Sequence, residues 1–132
     1  MREDDVLVYW GLSKDIGLMK KTYPKNKIVM SAKDFYYMDC GLSNKYGSIT
    51  HCDPYKSYWT IYSFEPSDYV NDGTVLGSEL AGWSELFTDA ILHSRLWLRA
   101  AALPDRLWGP KPSTVDVAAL VNRLNAFGEK LK

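Results

Sequence analysis

Aromatic and acidic residues come directly after three short apolar segments of the chain. They are Trp10 after the first segment, Tyr36, Tyr37 and Asp39 after the second, and Trp83 and Glu85 after the third. Aromatic rings stack on flat partners, sugars included, so such a cluster predicts a binding site. Each residue also has an ordinary alternative, because Trp10 and Trp83 could belong to a core and Glu85 could be a solvated loop charge.

The three apolar segments are predicted strands that would bring these residues together. Residues 6–9, 27–31 and 74–80 are short and β-rich. Between the first two, Ser13 offers an N-cap for a short helix that ends before Pro24. A strand, a helix and a strand within so few residues form a βαβ unit with parallel strands. Ligands bind at the carboxyl ends of parallel strands, which is where the aromatic and acidic residues fall.

The remaining segments complete an α/β pattern. Residues 32–72 are rich in Tyr, Gly, Ser, Asn and Asp and predict a long irregular stretch, which in a compact domain is usually functional. Residues 95–107 predict a helix. A last helix, capped by Ser113 or Thr114, would carry an apolar face that runs from Val117 to Leu131.

Composition excludes several classes of protein. The 132 residues suffice for one domain, and the formal net charge of zero argues against a nucleic-acid or anionic-membrane partner. No apolar run reaches the roughly 20 residues of a membrane span, and the N-terminus does not resemble a signal peptide. We predict no cofactor and no metal. The spacing of Cys40 and Cys52 fits a loop disulfide and a reduced pair equally well.

Four motifs carry a resemblance to glycoside hydrolase family 20. Residues 8–10 resemble a family strand that ends in Trp, and residues 37–41, Tyr-Met-Asp-Cys-Gly, resemble its Tyr-x-Asp-Cys-Gly segment. Residues 77–85, Gly-Ser-Glu-Leu-Ala-Gly-Trp-Ser-Glu, resemble Gly-Gly-Glu-x-x-x-Trp-x-Glu. Residues 95–108 resemble the helix Arg-Leu-Trp-Pro-Arg-Ala…Glu-Arg-Leu-Trp. The motifs occur in family order, and the resemblance covers about residues 5–131.

The resemblance implies a fold and a division of the chain. The family fold is a (β/α)8 TIM barrel, and this chain would be its C-terminal portion, about three parallel strands with flanking helices. Residues 1–110 would form the last three βα units, and residues 111–132 a C-terminal helix that packs on the barrel.

The resemblance also implies the chemistry of a β-N-acetylhexosaminidase. In this family the 2-acetamido oxygen of the substrate attacks the anomeric carbon, so that no enzyme carboxylate is the nucleophile. Tyr37 matches the catalytic tyrosine that donates a hydrogen bond to that oxygen. Trp10 and Trp83 match two tryptophans that enclose the acetamido methyl group, and Asp39 and Glu85 match carboxylates that bind outer sugar hydroxyls. The substrates would be glycans or chitooligosaccharides that end in N-acetylglucosamine or N-acetylgalactosamine.

Several positions depart from the family pattern. His51 stands where insect chitin-degrading members carry a Trp that stacks on the next sugar, so His51 would stack more weakly. Pro104 lies inside the predicted helix 95–107, where an interior Pro predicts a break near Leu103. The family's Asp-Glu pair, with the general acid, is absent, and no Asp-Glu dipeptide occurs in the chain. We therefore expect the 132-residue chain alone to be inactive.

Three alternatives follow from this absence. The chain is part of a hexosaminidase, or a non-catalytic carbohydrate-binding or structural half-barrel, or an unrelated α/β domain. Three strands cannot close a barrel, so the chain would need the missing barrel half or self-association. By resemblance to insect-type members, Cys40 and Cys52 would form a disulfide, which implies a secreted or lysosomal parent.

Overall fold

A three-stranded parallel sheet forms the centre of the fold. The computed structural model describes residues 1–41, 54–84, 87–109 and 116–131. Its strands are β1 (Val6–Tyr9), β2 (Lys27–Met30) and β3 (Val75–Ser78), in the order β1-β2-β3. Both pairings are parallel, as predicted. The third strand is shorter than predicted, and its pairing with β2 contains an irregularity between Ile28 and Val29.

The described residues also form six α-helices and two 3-10 turns. The α-helices are α1 (Ile16–Thr22), α2 (Lys33–Tyr36), α3 (Tyr58–Ser63), α4 (Asp89–Ala100), α5 (Ala102–Trp108) and α6 (Val117–Lys130). The 3-10 turns are Ser13–Asp15 and Pro66–Asp68. The prediction that residues 32–72 are irregular was wrong, because α2 and α3 lie within them.

Two predicted helix caps differ from the structure. Ser13 does not cap α1: its hydroxyl and its backbone N–H both donate to the Asp34 carboxylate, at 2.5 and 2.9 Å. That contact ties the segment after β1 to α2. The last helix is capped by Asp116, which accepts from the Ala119 N–H at 3.0 Å, and not by Ser113 or Thr114, which lie outside the described residues.

The predicted helix over residues 95–107 is two helices. The chain leaves α4 at Ala101, two residues before the predicted break at Leu103. Pro104 is the third residue of α5, where a backbone N–H has no partner within the helix, so Pro is tolerated. Pro104 therefore limits how far α4 can continue but does not distort α5.

One face of the sheet is covered by helices and the other is open. Ile28 and Met30 of β2 are fully buried in the main core, which also contains Leu120 and Leu124 of α6. On the opposite face Val6 and Val8 of β1 remain 49% and 52% exposed. Parallel sheets normally have both faces covered. In the part of the chain that the structure describes, no helix is both long and apolar enough to cross a membrane.

Candidate functional site

A cavity of about 250 Å³ lies at the carboxyl ends of the three strands. Its walls combine two indole rings, a phenol, a carboxylate and small residues from all three strand ends. The lining residues are Val8, Trp10, Ser31, Tyr37, Glu79, Ala81 and Trp83. Three of the residues singled out in the sequence, Trp10, Tyr37 and Trp83, are therefore brought together.

The two tryptophans present open faces to this cavity. Trp10 continues the alternation of Val6 and Val8 along β1, so it lies on the uncovered face of the sheet. Trp10 is 67% exposed and Trp83 is 53% exposed. Neither belongs to the core, so the alternative interpretation of both as core residues was wrong. Burying such rings against a ligand would be favourable at about 25 cal/mol per Å².

The position of Tyr37 is fixed by a short parallel bridge between the segments that follow β2 and β3. After β2 the chain forms α2 and then pairs again with Ala81. The Met38 N–H donates to Ala81 O at 2.7 Å, and the Ala81 N–H donates to Tyr36 O at 3.0 Å. This pairing brings the rings of Tyr37 and Trp83 to 6.5 Å between centroids. The result is a phenol held beside an indole at one wall of the cavity.

The Tyr37 hydroxyl is kept in its protonated form. Burial raises the pKa of Tyr37 above its usual value, and the negative charges of Asp39 and Glu79 raise it further, while a hydrogen bond with Trp83 opposes them. Burial disfavours the charged form of a phenol. A protonated phenol can donate a hydrogen bond to a ligand oxygen, so Tyr37 is suited to act as a donor.

Asp39 connects the ends of β2 and β3. Its carboxylate is buried, and Oδ1 accepts from the Trp83 backbone N–H at 3.3 Å. Asp39 thus both holds Trp83 and adds a negative charge beside Tyr37.

Glu79 lines the cavity, although its place in the sequence predicts only that it belongs to the third strand. Its backbone N–H donates to Met30 O at 3.0 Å, which sets it opposite Ser31, another lining residue. Its side chain is exposed. The signal in the sequence was its position directly after β3, at the carboxyl end of a strand.

Other predicted site residues are not described. His51, Cys52 and Glu85 lie outside the described residues, so their roles stay predictions. Cys40 is fully buried and is not a free thiol. Its pairing with Cys52 remains a prediction, because only one of the two cysteines is described.

Residues 1–111 match the family described as "Glycosyl hydrolase family 20, catalytic domain". The chain is 36% identical over 119 residues to a chitooligosaccharidolytic beta-N-acetylglucosaminidase of Ostrinia furnacalis, and 34% identical over 119 residues to one of Bombyx mori. Each alignment covers 86% of this chain and 19% of the relative. The chain thus spans about a fifth of the length of these relatives.

A solved structure has a similar fold. The chain superposes on a GH20 exo beta-N-acetylglucosaminidase from Vibrio harveyi, solved with N-acetylglucosamine, with a TM-score of 0.76 and 16% sequence identity. The superposition covers 99% of this chain and 21% of that one. Three parallel strands with flanking helices therefore correspond to part of a barrel, as predicted.

Proposed function

The chain belongs to glycosyl hydrolase family 20, and from that membership we propose that it supplies the sugar-binding side of a β-N-acetylhexosaminidase site. The observation that carries the proposal is the common cavity of Trp10, Tyr37 and Trp83 at the carboxyl ends of the strands. The substrates would be glycans or chitooligosaccharides that end in N-acetylglucosamine or N-acetylgalactosamine. The reaction would be hydrolysis of the terminal sugar with retention of configuration.

Tyr37 and the two tryptophans would act on the 2-acetamido group of the sugar. The protonated Tyr37 hydroxyl donates to the acetamido oxygen, which orients that oxygen toward the anomeric carbon and stabilises the charged ring intermediate. Trp10 and Trp83 enclose the acetamido methyl group and exclude water. Such a fixed arrangement favours the internal attack, because the reacting atoms are already close.

Carboxylates would hold the outer hydroxyls. Asp39 lies in the structure next to Tyr37 and Trp83, and Glu85, by resemblance, would join it. A carboxylate accepts strong, charge-assisted hydrogen bonds from hydroxyls. His51 would contact a second sugar only weakly, which disfavours long chitin oligomers.

The open face supports completion of this sheet by further strands. Val6, Val8 and Leu76 are each about half exposed, at 49%, 52% and 54%. A second cavity of about 640 Å³ runs beside β3, between the segment 65–67 and the exposed Trp108 at the end of α5. A closed barrel would cover both features, since its strands have no free edge. We propose that the other strands of the family barrel occupy them.

A second candidate is a carbohydrate-binding module without catalysis. It is favoured by the lining of the cavity, which among the described residues holds one carboxylate, Glu79, and no Asp-Glu pair. In this candidate the cavity would bind the acetamido sugar but would offer no general acid, which is typically worth about 10²–10⁴-fold in rate.

Calorimetric titration of the purified chain tests the site. We expect methyl N-acetyl-β-glucosaminide to bind about ten-fold more tightly than methyl β-glucoside, because only the former fills the cavity with an acetamido group. Trp83→Ala should remove the preference. Trp97→Ala, at an exposed tryptophan of α4, is the matched control and should retain it. Equal affinity for both sugars would contradict the proposal.

A chimera separates the two candidates. The barrel strands that precede the matched region in the Ostrinia furnacalis relative would be fused to this chain and tested on an aryl N-acetyl-β-glucosaminide. We expect turnover by the chimera and none by the chain alone. A folded chimera that binds the sugar without turning it over would favour the binding module.

A further inference from the structure

Arg99 is a buried cation whose guanidinium group joins three segments. It lies in α4 and is only 5% exposed. Its Nη1 donates to Lys56 O and its Nη2 to Met38 O, each at 2.9 Å, while its Nε donates to Arg95 O. Lys56 and Met38 are far from Arg99 in sequence. The planar guanidinium group therefore links α4 to two distant segments of the chain.

One of these two segments carries residues of the site. Met38 lies between Tyr37 and Asp39, and Lys56 directly precedes Ser57, the N-cap of α3. The Arg99 guanidinium lies 4.5 Å from the centre of the Tyr55 ring. Gly41 has a φ of 75°, and a Cβ there would lie 2.1 Å from Tyr55 N. The chain therefore closes tightly against itself beside the segment that carries Tyr37 and Asp39.

We propose that Arg99 is a positioning residue of the site, which fixes the Met38 carbonyl and thereby the neighbouring side chains of Tyr37 and Asp39. The sugar-binding part of the test below rests on the proposed function, whereas the hydrogen-exchange part does not. Arg99 lines no part of the cavity itself, so it acts only through the segment that it holds.

The choice of Arg has a physical reason. Burial lowers the pKa of Arg99, and the Asp39 carboxylate opposes that change; an arginine nevertheless stays protonated at neutral pH. A buried cation is tolerated where its donors are satisfied, here by three carbonyl oxygens and an aromatic face. A lysine carries the charge but lacks the rigid fork that reaches two carbonyls at once.

Three variants separate positioning from general stabilisation. Arg99→Met removes the donors, Arg99→Lys keeps the charge, and Arg95→Met alters an exposed arginine one turn earlier in α4. Amide hydrogen exchange of the chain is followed at two N–H groups. Trp83 N–H donates to Asp39 at 3.3 Å and reports on the site, while Ile28 N–H donates to Thr74 O at 2.9 Å and reports on the sheet.

We expect Arg99→Met to accelerate exchange at Trp83 about ten-fold more than at Ile28, because loss of the buried hydrogen bond to Met38 O, about 1.4 kcal/mol, changes an equilibrium ten-fold. Arg99→Lys should fall between this variant and the unmodified chain, and Arg95→Met should change neither amide. Equal acceleration at both amides, or none, would overturn the positioning role.

A sugar-binding measurement on the same variants tests whether the positioning of Tyr37 and Asp39 by Arg99 affects affinity. Affinity for methyl N-acetyl-β-glucosaminide should fall about ten-fold in Arg99→Met and stay unchanged in Arg95→Met. Unchanged affinity in Arg99→Met would overturn the inference. If the unmodified chain does not bind the sugar, the proposed function fails, and the exchange experiment still decides the role of Arg99.

Discussion

The Asp39 carboxylate accepts a hydrogen bond from the Trp83 backbone N–H across the ends of β2 and β3, with 3.3 Å between Oδ1 and N. This contact couples two residues that the proposed function assigns to different parts of the sugar, an outer hydroxyl and the acetamido methyl group. A substitution of Asp39 should therefore have two separable effects, one on charge and one on the position of Trp83.

Asp39→Asn is expected to weaken binding without moving Trp83. Its amide oxygen can still accept from the Trp83 N–H, but the negative charge that strengthens hydrogen bonds to hydroxyls is gone. We expect about a ten-fold loss of affinity for methyl N-acetyl-β-glucosaminide and an unchanged tryptophan emission spectrum. Asp39→Ala should change both. Asp15→Asn, at an exposed carboxylate, is the control, and a shifted spectrum in Asp39→Asn would contradict the separation.

Tyr37→Phe should reduce the affinity for the acetamido sugar while leaving the affinity for methyl β-glucoside unchanged. The loss of one donor is expected to cost about 0.5–1.5 kcal/mol. Because the pKa of Tyr37 is raised above its ordinary value of 10.0, its hydroxyl should remain a donor up to about pH 9. Titrations from about pH 7 to 9 should show no loss of binding through Tyr37, and a loss that disappears in Tyr37→Phe would contradict this.

Alkaline pH should destabilise the protein through Tyr36. This side chain is fully buried, and burial is the main cause that raises its pKa well above the ordinary value of 10.0. Because the pKa of Tyr36 is higher in the folded than in the unfolded chain, the protonated phenol contributes its full stabilisation below about pH 10. As pH rises further, the free energy of unfolding falls by about 1.4 kcal/mol per pH unit. In Tyr36→Phe, the free energy of unfolding should therefore fall less steeply between about pH 10 and 11.

Urea unfolding between pH 8 and 11 provides the measurement for Tyr36. Tyr69→Phe is the matched control, since Tyr69 is partly exposed and stacks on Phe64 in a way that phenylalanine preserves. The control should lose stability with pH as the unmodified chain does. Parallel curves for Tyr36→Phe and the unmodified chain would show that Tyr36 does not contribute.

The predicted Cys40–Cys52 disulfide can be tested by alkylation. Under denaturing conditions without reductant we expect no modified cysteine, and after reduction we expect two. Reduction should lower the free energy of unfolding by about 2–3 kcal/mol, as closure of a short loop predicts. The Cys40→Ser/Cys52→Ser variant should show no response to reductant, and alkylation before reduction would exclude the bond.

The isolated chain is expected to associate rather than stay a 15.0 kDa monomer. Exposed apolar surface on Val6, Val8 and Leu76 favours burial at about 25 cal/mol per Å². Val6→Asp should shift sedimentation toward the monomer, whereas Val117→Asp, at an exposed valine of α6, should not. A monodisperse monomer with a cooperative thermal transition would contradict the prediction.

Local patterns in the sequence predicted the sheet better than the helices. The short β-rich segments became β1, β2 and β3, because buried strands need little more than apolar, branched side chains. The stretch over residues 32–72 was predicted as irregular because α2 and α3 are four and six residues long. Helices that short lack a full apolar period, so tertiary contacts decide whether they form.

The sequence by itself determined which side chains stand at the strand ends: Trp10 follows from its place after β1, and Tyr37 and Trp83 from their motifs. Only the tertiary structure decided how these groups cooperate. Three features depend on contacts between distant segments: the hydrogen bond from Trp83 to Asp39, the position of Glu79 in the cavity lining, and the hydrogen bond from Arg99 to Met38. The physical reason for the first two contacts is that the pairing register of β2 and β3, with its irregularity at Ile28 and Val29, sets which residues meet, and register is a property of packed strands that spacing along one strand does not encode. The third contact depends on how α4 packs, which the sequence of α4 alone does not specify.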